Sequence, residues 1–267
     1  MTMSETAFYL FCFARSAPLP ELRGTGVDGQ SPLVVWPFAE LAAVLSTVDV
    51  ADFSGPVAEA RMKDLSWLGP RACRHEAVIE EVMDYGPVLP ARFGTLFSSL
   101  ESLEGLLVNH HRAISQFLDQ MTGHEEWGVK GVLNREQALP ELKSRHQTGG
   151  GGHIDLSSLA RGTRYLQGRR VRAAAEKELP QWLQATCCRV AEDLRGYASG
   201  FSVRKALANG GSGSEVVSDW AFLVPRGVRA DFCGRVKRAS AELADRGLTF
   251  ELTGPWPPYS FTPSLPA

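Results

Sequence analysis

Five groups of residues have the types and spacing to do chemistry. Gly24-Thr25-Gly26-Val27-Asp28-Gly29 has the GxGxxG spacing of a dinucleotide loop. That loop works when it leads straight into a helix, whose first N–H groups receive a pyrophosphate. Here Pro32 and a β-like apolar run follow, so the spacing reads as a hairpin-type loop. His75-Glu76 opens an HExxxE pattern, but a metalloprotease helix needs a second His one turn on to share the metal, and none is there. His75 instead falls on an apolar stripe, as a satisfied helix residue would. His110 and His111 are neighbours that diverge around a helix and do not converge on one ion. Cys187-Cys188 is a thiol pair beside Arg189, yet in mid-helix, where nothing lowers a thiol pKa strongly. Arg161, Arg164, Arg169, Arg170, Arg172 and Lys177 form a basic run without any helix-turn-helix or RNA-binding signature. Such a run is a solvated face or a docking face for an acidic partner. No GxSxG, P-loop or paired-carboxylate pattern occurs.

The elements that would carry these groups need a core. The chain has 267 residues, 44% of them hydrophobic and 22% charged, which suits one large or two ordinary globular domains. Net charge is −2, too small for bulk attraction to a polyanion. Five cysteines, an odd number without CxxC, read as free thiols of a reducing cytosol. The N-terminal apolar run, Ala7 to Ala14, follows Glu5 with no basic residue before it, so no export signal is expected. No stretch approaches the roughly 20 apolar residues of a membrane span.

Charge divides the chain. Residues 1–134 hold 9 Lys and Arg against 17 Asp and Glu, a net of −8. Residues 135–267 hold 19 against 13, a net of +6. Gly149-Gly150-Gly151-Gly152 lies just past the break. The expected organisation is an N-terminal domain over 1–134, a flexible Gly-rich linker over 135–155, a C-terminal domain over 156–253, and a tail over 254–267.

In the first half, Ala7 to Ala14 predicts a strand buried on both faces. Leu33 to Trp36 and Ala42 to Leu45 predict short strands, the second also compatible with a helix. Leu65, Leu68, Ala72, His75, Ile79 and Val82 draw one helical stripe. Val88 to Phe97 predicts a strand with Pro90 at an edge or bulge. Leu103, Leu106, His110, Ile114, Phe117 and Met121 mark a second helix, and Trp127 to Leu133 a closing strand. The fold class expected is α+β, the first domain a ferredoxin-like sandwich. The second half predicts a long, coiled-coil-like helical region from about Leu156 to Phe201, broken or kinked at Pro180. A strand over Val216 to Val224, a helix over Val228 to Leu243, a C-cap at Gly247 and a strand over Leu248 to Leu252 follow. Pro255, Pro257 and Pro258 set an extended path for the tail.

Four segments carry a family resemblance: Val88-Leu89-Pro90-Ala91-Arg92-Phe93-Gly94-Thr95; Glu126-Trp127-Gly128-Val129-Lys130; Gly162-Thr163-Arg164-Tyr165-Leu166 with Arg169-Arg170; and Thr253-Gly254-Pro255-Trp256-Pro257-Pro258-Tyr259-Ser260-Phe261. With the opening Tyr9-Leu10-Phe11 strand and the Leu68…His75 helix, the chain resembles the gas vesicle accessory proteins GvpF and GvpL from about residue 7 to 261. The loop from Pro18 to Gln30 and the Gly149–Gly152 linker depart from that pattern.

The resemblance implies a non-enzymatic assembly factor of two α+β domains, cytoplasmic and associated with gas vesicles. It would bind the main hydrophobic shell protein and other accessory proteins, act early or remain as a minor vesicle component, and need no cofactor, metal, nucleic acid or membrane. A shell subunit with an exposed apolar face and strand edges aggregates unless something holds it. The implied interface or fold-clamping positions are Arg92, Phe93, Gly94, Trp127, Arg164, Tyr165, Trp256, Tyr259 and Phe261. For Arg92 a structural salt bridge, and for the tail aromatics burial against the sheet, are the competing intramolecular readings. The competing functional class is a small-molecule- or metal-binding enzyme on a ferredoxin-like scaffold.

Overall fold

The computed structural model describes residues 5–17, 19–148, 161–205 and 214–265. The Gly149–Gly152 and Gly210–Gly213 runs and Pro18 lie outside the described residues. The chain divides into two compact units, residues 1–125 with 256–267, and residues 126–255.

The first unit is built on β1 (Thr6–Arg15), whose apolar run is buried almost throughout. It pairs antiparallel with β3 (Leu41–Asp49) on one side. On the other side it pairs with β4 (Val88–Pro90) and β5 (Leu96–Phe97). β2 (Val34–Phe38) hairpins onto β3 and forms the outer edge. The stretch Ala42 to Leu45 is strand, as expected, and not the helix it was also compatible with. Ala39 takes a positive φ of 51° in the hairpin turn. The single strand expected over Val88 to Phe97 is two short ones, because the 91–95 segment turns between them.

Two short helices, α1 (Val50–Phe53) and α2 (Gly55–Arg61), precede the long α3 (Leu65–Met83). Asp64 caps α3 through the N–H of Ser66. α4 (Leu100–Met121) starts at a Ser99–Ser102 capping box and buries Leu103, Leu107, Ile114 and Phe117. Three strands thus precede every helix of this unit. The ferredoxin-like order expected here is not its order.

In the second unit the order of the described elements is β-α-α-β-β-α-β, one helix more than the β-α-β-β-α-β pattern. β6 (His124–Asn134) leads into α5 (Arg135–Thr148) and α6 (Arg161–Arg195). β7 (Gly200–Val203) and β8 (Ser214–Pro225) form an antiparallel pair. α7 (Arg229–Ala244) and β9 (Leu248–Trp256) complete it. The sheet runs β7-β8-β6-β9. β6, expected to close the first half, is central here because Val129 and Leu133 bury against the helices of this unit. The expected boundary at 134 accordingly differs from the observed division at 125, and residues 135–148 of the expected linker are helix.

α6 continues through Pro180. The lost N–H there is offset by packing: Ala175 and Leu179 bury against Ala138 and Leu142 of α5, with Trp182 and Leu183 alongside. The helix ends at Arg195, so Phe201 of the expected stripe sits in β7. α7 has its C-cap at Asp245, not at Gly247 as expected; Gly247, two residues on, turns the chain at φ +73°, and its carbonyl accepts from Asn134 N–H at 2.7 Å. The tail starts as the last residues of β9, an edge strand of its sheet, where a proline is tolerated. A single 3-10 turn, Tyr259–Phe261, follows. Among the described residues no helix is long and apolar enough to cross a membrane.

Candidate functional site

The first unit collects its polar chemistry around one histidine. His75 is 3% exposed, on the buried face of α3, stacked on Phe11 at 5.7 Å. Its Nδ1 lies 2.8 Å from Tyr9 Oη. Its Nε2 lies 3.2 Å from both the Ala91 carbonyl oxygen and Tyr259 Oη. A carbonyl only accepts, so Nε2 carries the proton and Nδ1 accepts from the Tyr9 hydroxyl. Gly94 N–H donates to Tyr9 Oη at 3.2 Å, and Tyr259 donates to Glu76 Oε2 at 3.2 Å. One directed chain results: Gly94 to Tyr9 to His75 to Tyr259 to Glu76.

The electrostatics agree with that chain. Burial pushes the His75 pKa down to about 4, so the ring is neutral at pH 7. Burial raises the Glu76 carboxyl above its usual range, opposed by the Tyr259 hydrogen bond. Burial likewise lifts both tyrosine hydroxyls well above their ordinary value. Both nitrogens of His75 are engaged, which leaves no lone pair for a metal.

The Arg92-Phe93-Gly94-Thr95 turn is shaped around this chain. Gly94 has φ +83°, a left-handed conformation that a Cβ penalises. Phe93 makes edge contacts with Tyr9 at 6.0 Å and His75 at 5.7 Å. Thr95 N–H and hydroxyl both donate to the Arg92 carbonyl. The Arg92 side chain is exposed and has no ion-pair partner among the described residues, so the competing salt-bridge reading is not realised there. In the tail, Tyr259 packs on the first core and Phe261 is half-buried, while Trp256 stays 36% exposed.

The second unit has its own polar centre. Glu126 is 2% exposed and lies 3.8 Å from the Arg204 guanidinium, which also meets Asp219 at 3.2 Å and the Trp220 carbonyl at 3.0 Å. Gly128 makes room for it, since a Cβ there would meet Arg204 Nη2 at 2.5 Å and Thr253 Oγ1 at 2.7 Å. The Glu126-Trp127-Gly128 spacing is thereby explained: the acid and the glycine serve the arginine, and Trp127 packs on the core of the unit. On α6, Tyr165 is 66% and Leu166 58% exposed, beside exposed Arg169 and Arg170. The Arg164 side chain lies outside the described ones.

The remaining sequence candidates have structural roles. The GxGxxG run is a hairpin-type loop: Gly26 N–H bonds the Ser31 carbonyl at 2.7 Å, Asp28 accepts from Gln30 and Ser31 N–H, and no helix follows. A Cβ on Gly26 would collide with Ser46, which accounts for that glycine. His111 pairs with Glu40 at 3.2 Å. Burial raises the Cys187 thiol pKa, and Cys188 is exposed. Among the described residues no three potential ligands gather to hold a metal.

Tyr9, Glu126, Arg204 and Asp219 were not singled out as partners from the sequence. A lone hydroxyl in the apolar run of β1 was the one available signal for Tyr9. Nothing local marks Arg204 as the mate of an acid 78 positions away.

Fold and site define a mixed α/β protein of two compact units with two sheets, whose buried polar groups tie distant segments together. The chain belongs to the family described as gas vesicle synthesis protein GvpL/GvpF, whose model matches residues 7–263. It is 30% identical to gas vesicle protein L of Streptomyces sp. (strain CB03234), over 88% of this chain and 85% of that one. It is 26% identical to gas vesicle protein L2 of Halobacterium salinarum, over 96% and 91%. The crystal structure of GvpF from Anabaena sp. PCC7120 superposes with a TM-score of 0.71 at 16% identity, covering 97% of this chain and 99% of that one.

Proposed function

We propose that this protein is a non-catalytic assembly accessory of gas vesicles, which binds the hydrophobic shell subunit and keeps it competent to assemble. One observation carries the reading: the family match runs through both units, from residue 7 to 263. The physical case is supportive. His75, the most enzyme-like residue in the sequence, has both nitrogens bonded inside the core, so its chemistry goes into holding the fold. Meanwhile Tyr165, Leu166 and two arginines sit in water on α6, and tyrosine and arginine are the residue types that anchor interfaces.

We assign Arg92, Arg164, Tyr165 and Trp256 to contact with partners, and Phe93, Gly94, Trp127, Tyr259 and Phe261 to clamping the fold. The partners are the main shell protein and other accessory proteins, and the place is the cytoplasm, at the vesicle.

The test mixes purified protein with the shell subunit and follows sedimentation. A soluble complex and delayed aggregation are expected; unchanged aggregation overturns the reading. Washing intact vesicles then separates a transient helper, which is lost, from a minor component, which stays.

A further inference from the structure

The second unit is an insertion in the first. Residues 1–125 and 256–267 form one compact unit, and the 130 residues from Glu126 to Pro255 form the other. The insertion enters on β6 and leaves on β9, which are neighbours in its sheet. Asn134 N–H bonds the Gly247 carbonyl at 2.7 Å, and a Cβ on Gly128 would lie 2.7 Å from Thr253 Oγ1. Numbers that rise along β6 therefore fall along β9. The two strands are antiparallel, so Glu126 and Pro255 leave the unit side by side. The second unit holds this arrangement with a core of its own, in which Phe222 and Phe232 are fully buried.

The first unit uses what the insertion hands back. Pro257 and Pro258 are buried, and Tyr259 packs on the core built by Tyr9, Phe11 and Ile79. Its hydroxyl meets His75 Nε2 and Glu76 Oε2, each at 3.2 Å. Tyr259 stands three positions past Trp256, the last residue of β9. A folded second unit thus keeps Tyr259 on a short tether from the point where the chain left the first unit. Unfolding the second unit turns that tether into a loop of 130 residues. The effective concentration of a tethered group falls roughly as the −3/2 power of tether length. Between a few residues and 130 the fall is on the order of hundredfold.

We propose that the tail couples the stabilities of the two units. A folded second unit holds Tyr259 in reach of its socket and so stabilises the first; by reciprocity, the docked tail stabilises the second. The coupling runs along the chain and needs no surface shared by the units. It goes beyond the function proposed above and does not depend on it. A growing chain makes the first unit first and completes it last, once β9 has formed.

The experiment is native-state hydrogen exchange on the full-length chain, read at amides 220–224 of β8 in the second unit and at α4 in the first. Tyr259→Ala should raise opening-limited exchange at 220–224 by about tenfold to hundredfold, although its bonds to His75 and Glu76 lie in the first unit. Leu107→Ala removes a fully buried side chain of α4 outside the core that Tyr259 joins. It should speed exchange in α4 and leave 220–224 unchanged. A twelve-residue Gly-Ser insert between Trp256 and Pro257 keeps every side chain and only lengthens the tether. It should raise exchange at 220–224 by about tenfold. Should Tyr259→Ala fail to fold, this insert, which retains Tyr259 and its bonds, decides the matter alone. Unchanged exchange at 220–224 with the insert overturns the proposal, because contacts and not tether length would then be at work. Equal loss of protection there with Leu107→Ala and Tyr259→Ala also overturns it, since the two units would then open as one body.

Discussion

The Tyr259 hydroxyl lies 3.2 Å from His75 Nε2, across 184 residues of sequence, and donates its own hydrogen bond to Glu76. The end of the chain is thereby bonded to α3 of the first unit, whose core it joins.

Tyr259→Phe keeps the ring and its packing but removes both bonds. Glu76 then sits half-buried without its hydroxyl donor. A loss of about 1–3 kcal/mol is expected for the first unit. Urea unfolding followed by exchange at α3 amides reads this directly. Tyr259→Ala adds the loss of ring burial and should cost more. An unchanged midpoint for Tyr259→Phe would show that the hydroxyl is a bystander.

Acid should weaken the first unit through His75. Its folded pKa is about 4, against about 6.5 when exposed. Between those values the unfolded chain binds the extra proton. Stability is therefore full above pH 6.5 and falls as pH drops toward 4, by at most about 1.4 kcal/mol per pH unit. Glu76 acts in the opposite sense: its raised pKa makes the folded chain hold a proton in the window just above the usual carboxylate range, which partly offsets the loss. His75→Gln should flatten the slope between pH 6.5 and 4 while lowering stability at pH 7. Melting temperatures across that range for the two proteins give the comparison.

Two glycines with positive φ should answer differently to alanine. At Gly94, φ +83°, an added Cβ meets nothing nearer than Met62 Cε at 3.9 Å. The cost is backbone strain alone, about 1–2 kcal/mol. At Gly247, φ +73°, the Cβ would lie 2.6 Å from the Asn134 carbonyl and 2.7 Å from Ala138 N. Those are backbone atoms, which cannot swing aside, so strain and collision add. Gly247→Ala should lose several kcal/mol, on the order of a core defect, and clearly more than Gly94→Ala. Parallel urea curves test the ranking.

These glycines also show how much of the architecture was legible. Gly247 was readable as the turn that follows a clear helical stripe, although the cap itself falls two residues earlier, at Asp245. β1, α3, α4, α7 and β8 were readable because their apolar spacing follows one period over many residues. Local spacing does not say which strand neighbours which, and that is where expectation and structure part. β6 alternates like any strand, and only its burial by Leu142 and Val190 makes it central to the second unit. The β-α-β-β-α-β order was assigned to the first half for the same reason. The His75 network was half legible: the histidine on an apolar stripe implied partners, but those partners, Tyr9, Ala91 and Tyr259, come from three distant segments. For Arg92 the sequence left partner contact and an internal salt bridge both open, and the exposed side chain, without an ion pair among the described residues, removes the second.

Arg92 and Tyr165 give the prediction that separates fold from function. Both side chains are exposed, and neither has an ion pair or ring contact among the described residues. Arg92→Ala and Tyr165→Ala should each stay within about 0.5 kcal/mol of the parent in stability, as surface substitutions do. If these side chains meet the shell subunit, the same variants should lose soluble complex in the sedimentation assay, because truncating an anchoring tyrosine or arginine commonly costs about 2 kcal/mol, some thirtyfold in affinity. Tyr259→Phe should do the reverse, lowering stability while complex formation per folded molecule stays constant. A destabilised Arg92→Ala would mean that the arginine supports the turn; full complex formation by both surface variants would place the contact elsewhere. Only the pattern of stable but non-binding surface variants and binding but unstable core variants fits a protein whose interior holds its shape and whose exterior holds a partner.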